Sequence, residues 1–236
     1  MIMAAGLTMA ACNNQTNNGK TVESNDTVIV TTEVPSDEFD SEEGIDELDA
    51  IRSIRKEWVD KPIKVEADKE TVGIEQFALA FCKTYPDFVV NKMMRGYLVA
   101  PENYKNELYG IDNRSDNDFI RCMMMVETTH QTDVCCWDRK DGHKLFAVYM
   151  AAGYESGDGE DQVVFYDYDP ATGIMTPEPA LADMVEKQGK GYDIYEVRLP
   201  REGKDIVVYV CTANKELDNY DCDEHKLTWN GMTFEN

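Results

Sequence analysis

The spacing of apolar residues divides the chain into three stretches. Before residue 40 apolar residues follow no period, apart from the isolated run "TVIVTTEV" (27–34), which has the composition of a lone strand. From there Ile45, Leu48, Ile51, Ile54 and Trp58 recur every three or four positions, which predicts a helix. Asp40 with Glu43 supplies a start signal, and Lys61-Pro62 a stop. "TVGIEQFALAFCKTYP" (71–86) places Ile74, Phe77, Ala78 and Phe81 on one face and ends at Pro86, a second helix. A third runs from Asp87 to about Leu98 and carries Phe88, Val89, Met93 and Met94.

Beyond Pro101 the period shifts to two. Strands are predicted at 119–128, 133–139, 144–152, 162–169, 192–199, 205–212 and 225–230, all rich in Val, Ile, Tyr and Phe. They are separated by "RKDGH", "ESGDGED", "DPATG", "REGKD" and "NGM", where glycine or its neighbours turn the chain. Short connections imply antiparallel neighbours. "PEPALADMVEKQGKG" interrupts the strands, with a short helix over 180–187. The expected class is α+β: N-terminal helices (41–100) packed on a C-terminal antiparallel β-meander of about seven strands (101–236), in one domain.

Charge changes the picture of function. The 236 residues hold 46 acids against 23 bases, a net charge of −23. Each nucleic-acid phosphate needs a cation to neutralise it, so this surface excludes nucleic acid as a partner. The excess is uneven, since residues 13–49 carry eleven acids and one base, Lys20. Ten of the fifteen residues from Asn13 to Thr27 are Asn, Gln, Ser or Thr, too polar to offset chain entropy by burial. Residues 12–40 therefore read as a disordered acidic leash.

Ahead of the leash, "MIMAAGLTMAA" (1–11) has the apolar run and small residues of the end of a signal peptide. Met9-Ala10-Ala11-Cys12 resembles a bacterial lipobox, with Met9 where the pattern usually has Leu. With the Asn-rich leash, this segment is similar to the start of Bacteroidetes-type cell-envelope lipoproteins. Asp26-Thr27-Val28 also matches the short glycosylation pattern of those bacteria. The resemblance is confined to the first 27 residues. It implies lipidation of Cys12, a membrane partner through that anchor, and residence at the outer membrane, on its periplasmic or cell-surface side.

Six further cysteines remain, an even number that suits disulfides in an exported chain. Cys122 lies one strand away from the Cys135-Cys136 pair, of which only one can face it. Cys211 and Cys222 bracket a polar loop, and Cys82 falls in an apolar helix as a buried thiol. Reduced core cysteines are the equal alternative.

Sites with chemistry are sparse. His130, Cys135, Cys136 and His143 have zinc-type ligands without zinc-site spacing. Asp158, Glu160 and Asp161 form an acidic Gly-rich turn, a weak calcium candidate outside the EF-hand pattern; Asp218, Asp221 and Asp223 form another. "NGKT" lacks the first glycine of a P-loop, and Ser156 lacks the flanking glycines of a nucleophile elbow. Nothing calls for a cofactor. Trp137, Tyr166, Tyr168 and Trp229, with Tyr209, alternate along strands and would stack on sugar rings wherever they face outward. The expectation is a non-catalytic binding or interaction module for a glycan or an envelope protein, against the alternative of a hydrolase assembled from distant residues.

Overall fold

A computed structural model of the chain describes residues 61–66, 72–86, 88–104, 109–125, 128–154, 159–214 and 219–236. The leash, Cys12 and the helix expected over 45–58 lie outside the described residues. Strand β1 (Ile63–Lys64) precedes helices α1 (Ile74–Thr84) and α2 (Val89–Val99). Strands β2 (Tyr109–Arg114), β3 (Phe119–Met125), β4 (Thr128–Asp138), β5 (Lys144–Tyr154), β6 (Gly159–Asp169) and β7 (Ile174–Pro177) follow. Helix α3 (Pro179–Gly189) then leads into β8 (Ile194–Arg198), β9 (Ile206–Asn214), β10 (Asn219–Trp229) and β11 (Phe234–Glu235).

The strands form two antiparallel sheets, not one meander. Seven pair in the order β1-β7-β6-β5-β4-β3-β2, and four in the order β11-β10-β9-β8. The helices do not all come first either, because α3 separates the two sheets in sequence. The expectation of one meander fails at this insertion: a helix between β7 and β8 carries the chain off the first sheet, so the strands after it build a second one.

Both faces of the seven-stranded sheet are covered. On one face α1 and α2 supply Phe77, Phe81 and Phe88, all fully buried. Phe77 stacks near Phe146 and Tyr168, with ring centroids 5.6 and 4.8 Å apart. Asn91 fixes this layer: its side-chain amide donates to the Tyr85 carbonyl at 2.9 Å, and its oxygen accepts from Thr132. On the other face Trp137 meets Trp229 and Phe234 of the second sheet at 6.0 and 5.3 Å. Its indole N–H donates to the Lys204 carbonyl at 2.8 Å, which satisfies the ring's one polar group. Among the described residues no helix is long and apolar enough to cross a membrane.

Candidate functional site

Register decides which side chains meet on the face turned toward the second sheet. Phe119, Cys135, Ala147 and Phe165 are cross-strand neighbours there, and beside them lie Trp137 and Leu145. Two residues further along the strands the chemistry reverses. Asp112, Arg121, Asp133 and Tyr149 form the next row, followed by Met123, Gln131, Ala151 and Asp161. The last row, Thr129, Gly153 and Gly159, has little side-chain volume. A face that is bulky and apolar at one end thus becomes charged and then hollow.

The charged row is closed on itself. Arg121 donates from Nε and Nη2 to the two Asp133 oxygens at 2.8 and 2.6 Å, and Gln131 donates to Asp133 at 3.1 Å. Burial pushes the Asp133 carboxyl up, against the pull of these bonds, while the same contacts raise Arg121. At the sheet edge Asp112 accepts from Arg114 at 3.1 Å and also pairs with Arg201.

The hollow end is a groove of about 450 Å³. Its floor comes from β4, β5 and β6 through Gln131, Tyr149, Ala151, Gly153, Gly159 and Asp161, and its second wall is residues 193–196. Asp193 leads into β8, and residues 194–196 begin it, the last strand of its sheet. Gly189 permits this wall to close in, because a Cβ there would lie 2.5 Å from Cγ of Tyr195. Burial raises Asp161 to about 6, opposed by hydrogen bonds from Tyr149 and Tyr195, with Glu186 and Glu160 adding to the rise. Burial likewise raises the Tyr149 hydroxyl, so it remains a protonated donor. The charged side chains on the groove face are all acidic, Asp161, Asp193 and Glu196, and Glu160 borders the groove from the next position on β6.

The stacking aromatics expected from the sequence are not surface groups. Trp137 and Tyr166 are fully buried, Tyr168 nearly so, and Trp229 is packed against the core. At Trp137, Tyr166 and Tyr168 each face of the seven-stranded sheet carries a layer, so neither phase reaches solvent there. Tyr209 lies under the Arg198 guanidinium, 4.7 Å from its ring centroid.

Of the weak calcium candidates, Asp158 and Asp218 lie outside the described residues. Glu160 and Asp161 are adjacent on β6 and point to opposite faces, so they do not share an ion. Asp221 accepts from Asn214 at 3.0 Å. The zinc-type residues are likewise dispersed. His130 is buried in the same side-chain phase as Cys136, Cys135 points to the opposite face, and His143 sits outside both, bonded to Asp167 at 2.7 Å. Among the described residues no cluster of three or more His, Cys, Asp or Glu is placed to hold a metal ion.

The cysteines divide into two kinds. Cys211 and Cys222 are directly opposite on β9 and β10 and form a disulfide. Cys82, Cys122, Cys135 and Cys136 are buried free thiols. Cys122 faces Thr132, and Cys135 faces Phe119, so register removes the cross-strand bridge that sequence proximity suggested. Burial raises all four, Cys122 and Cys136 to about 12, which leaves them protonated and poor nucleophiles.

Tyr149, Tyr195, Gln131, Asp193 and the Arg121–Asp133 pair were not singled out from the sequence. One signal was present: Asp133 falls in the same alternation phase as Cys135 and Trp137, a charge in an apolar series. No protein-family model matches the chain, nor does any curated protein or any solved structure.

Proposed function

We propose that this protein is a lipid-anchored envelope protein, tethered through Cys12, whose folded part is a non-catalytic binding module. Its binding site is the groove between β4–β6 and the start of β8. The observation that carries the reading is the lining of that groove: acidic residues, no basic one, and among them the half-buried Asp161 carboxyl flanked by two tyrosines. Such a lining suits a ligand that brings positive charge and hydrogen-bond donors. With the strand aromatics committed to the core, a glycan has lost the stacking platform expected for it. A protein partner offering an extended segment with Lys or Arg is favoured instead. A last strand beside the groove adds backbone groups that an extended segment can use.

A hydrolase remains the second reading because of Asp161. A carboxyl held near 6 is protonated often enough at neutral pH to act as a general acid. The groove lining contains no histidine, cysteine or serine.

Two measurements test the proposal. Intact mass of protein from its native membrane should give a chain starting at Cys12 with two or three acyl groups; an unlipidated chain rejects the anchor. Calorimetric titration at pH 7.5 should give saturable heat with a short Lys-bearing peptide and none with a neutral oligosaccharide. The reverse pattern rejects the ligand class.

A further inference from the structure

The second wall of the groove is fastened at the disulfide. Cys211 is the residue opposite Ile194 on β8 and opposite Cys222 on β10, so three strands meet at one rung. The Asp193 amide donates to the Cys211 carbonyl at 2.9 Å. The Ala213 amide donates back to the Asp193 carboxylate at 2.7 Å. Asp193 and Ile194 line the groove. β8 reaches no further along β9 than Cys211, so β9 and β10 continue past that rung as a two-stranded ribbon. Two-stranded ribbons are marginal on their own in water. The S–S bond therefore sits where the three-stranded part ends and the ribbon begins.

The bond is also placed for exchange. Cys222 is exposed and Cys211 buried, whereas the four free thiols are all inside the core. An incoming thiolate meets the Cys222 sulfur first.

We propose that the Cys211–Cys222 disulfide is a redox latch that holds the β8 wall of the groove in place and releases it on reduction by an external dithiol. One thiolate of the dithiol attacks Sγ of Cys222, forming a mixed disulfide and expelling Cys211 as a thiolate, which takes a proton. The second thiol, as its thiolate, attacks the dithiol's own sulfur in that mixed disulfide and expels Cys222, which is protonated in turn. The protein gains two electrons and two protons, and the dithiol leaves as its cyclic disulfide. The ribbon then frays from its tip toward Cys211, and Asp193 loses the backbone that fixes it. The role in binding rests on the groove being the binding site; the bond's hold on the wall does not.

Hydrogen exchange read amide by amide, with and without dithiothreitol and without any ligand, tests the latch. Mass after alkylation identifies which thiols are free. Reduction of Cys211 and Cys222 alone should speed exchange at the Asp193 and Ala213 amides at least tenfold and leave Val148 and Val164, in β5 and β6, unchanged. The Cys211→Ala/Cys222→Ala variant should show the fast rates from the start and ignore the reductant. Unchanged rates at Asp193 and Ala213 in fully reduced protein overturn the latch. So does uniform acceleration across both sheets, which would make the bond a support of the whole fold. A bond that dithiothreitol leaves intact in the native protein overturns it as well. Because no ligand enters, a failure here is separate from a failure of the peptide titration.

Discussion

One face of the seven-stranded sheet holds two unlike regions a few residues apart. Around Trp137, Phe165 and Phe234 it is packed with rings and buried. Around Asp133, Tyr149 and Asp161 it is charged and then opens into a groove. The same strands build both, so neither strand propensity nor topology separates them. The difference is what each alternate position carries. Trp137, Cys135, Asp133, Gln131 and Thr129 descend from large apolar to small polar along β4 alone. The first region gains by excluding water. The second keeps costly groups where an apolar core would be cheaper, which is the usual mark of a site.

If the first region is purely structural, truncating it should cost most and change the groove least. Trp137→Ala should lower unfolding free energy by about 3–5 kcal/mol in chemical denaturation. In the charged row, Arg121→Met strips Asp133 of its two strongest hydrogen bonds and should cost about 2–3 kcal/mol, Arg121 being only partly buried. Replacing both partners, as Arg121→Met/Asp133→Leu, should recover most of that loss. A double variant as unstable as the single one would mean the row is packed as tightly as the ring cluster.

Asp161 makes the sharpest contrast, because its effect should have the opposite sign. Its folded value is raised from 3.8 to about 6, so the folded state holds the proton more tightly than the unfolded chain. The contribution of Asp161 to stability should therefore fall as pH rises from about 4 to 6 and stay lower above that. Asp161→Asn should flatten this dependence and stabilise the protein at pH 7 by on the order of 2 kcal/mol. Thermal melts from pH 4 to 8 check it. The smallest expected effect is that of Gly189→Ala, about 1–2 kcal/mol, since the added methyl must displace the Tyr195 ring. It should disturb the groove's amides more than the ring cluster's, as heteronuclear NMR would reveal.

Most secondary structure was legible in the chain. The periods around Phe77 and Phe81, and along Val163 to Tyr168, mark elements that the structure contains, as does the short helix after Pro179. β2 escaped notice because "YGIDNR" offers one apolar aliphatic among polar residues, and β1, β7 and β11 are too short to show a period. The division into two sheets was not legible, because local alternation says nothing about which strand ends a sheet. The groove was half legible. Asp161 stood in an acidic turn by sequence, and only register reveals that it shares a face with Gln131 and Ala151 while Glu160 does not. Its tyrosine partners come from β5 and from β8, 12 and 34 positions away in the chain, a separation no local pattern encodes.

In the proposed reading the hollow region, not the acidic surface at large, receives the ligand. Chemical-shift mapping with a short Lys-bearing peptide at pH 7.5 and physiological salt tests it most directly, in the wild type and in Asp161→Asn. The expected shifts are concentrated at residues 129–131, 149–153, 159–161 and 193–196, and are lost in the variant. Shifts scattered over the exposed acids of β10 and the loops, and indifferent to Asp161, would contradict it.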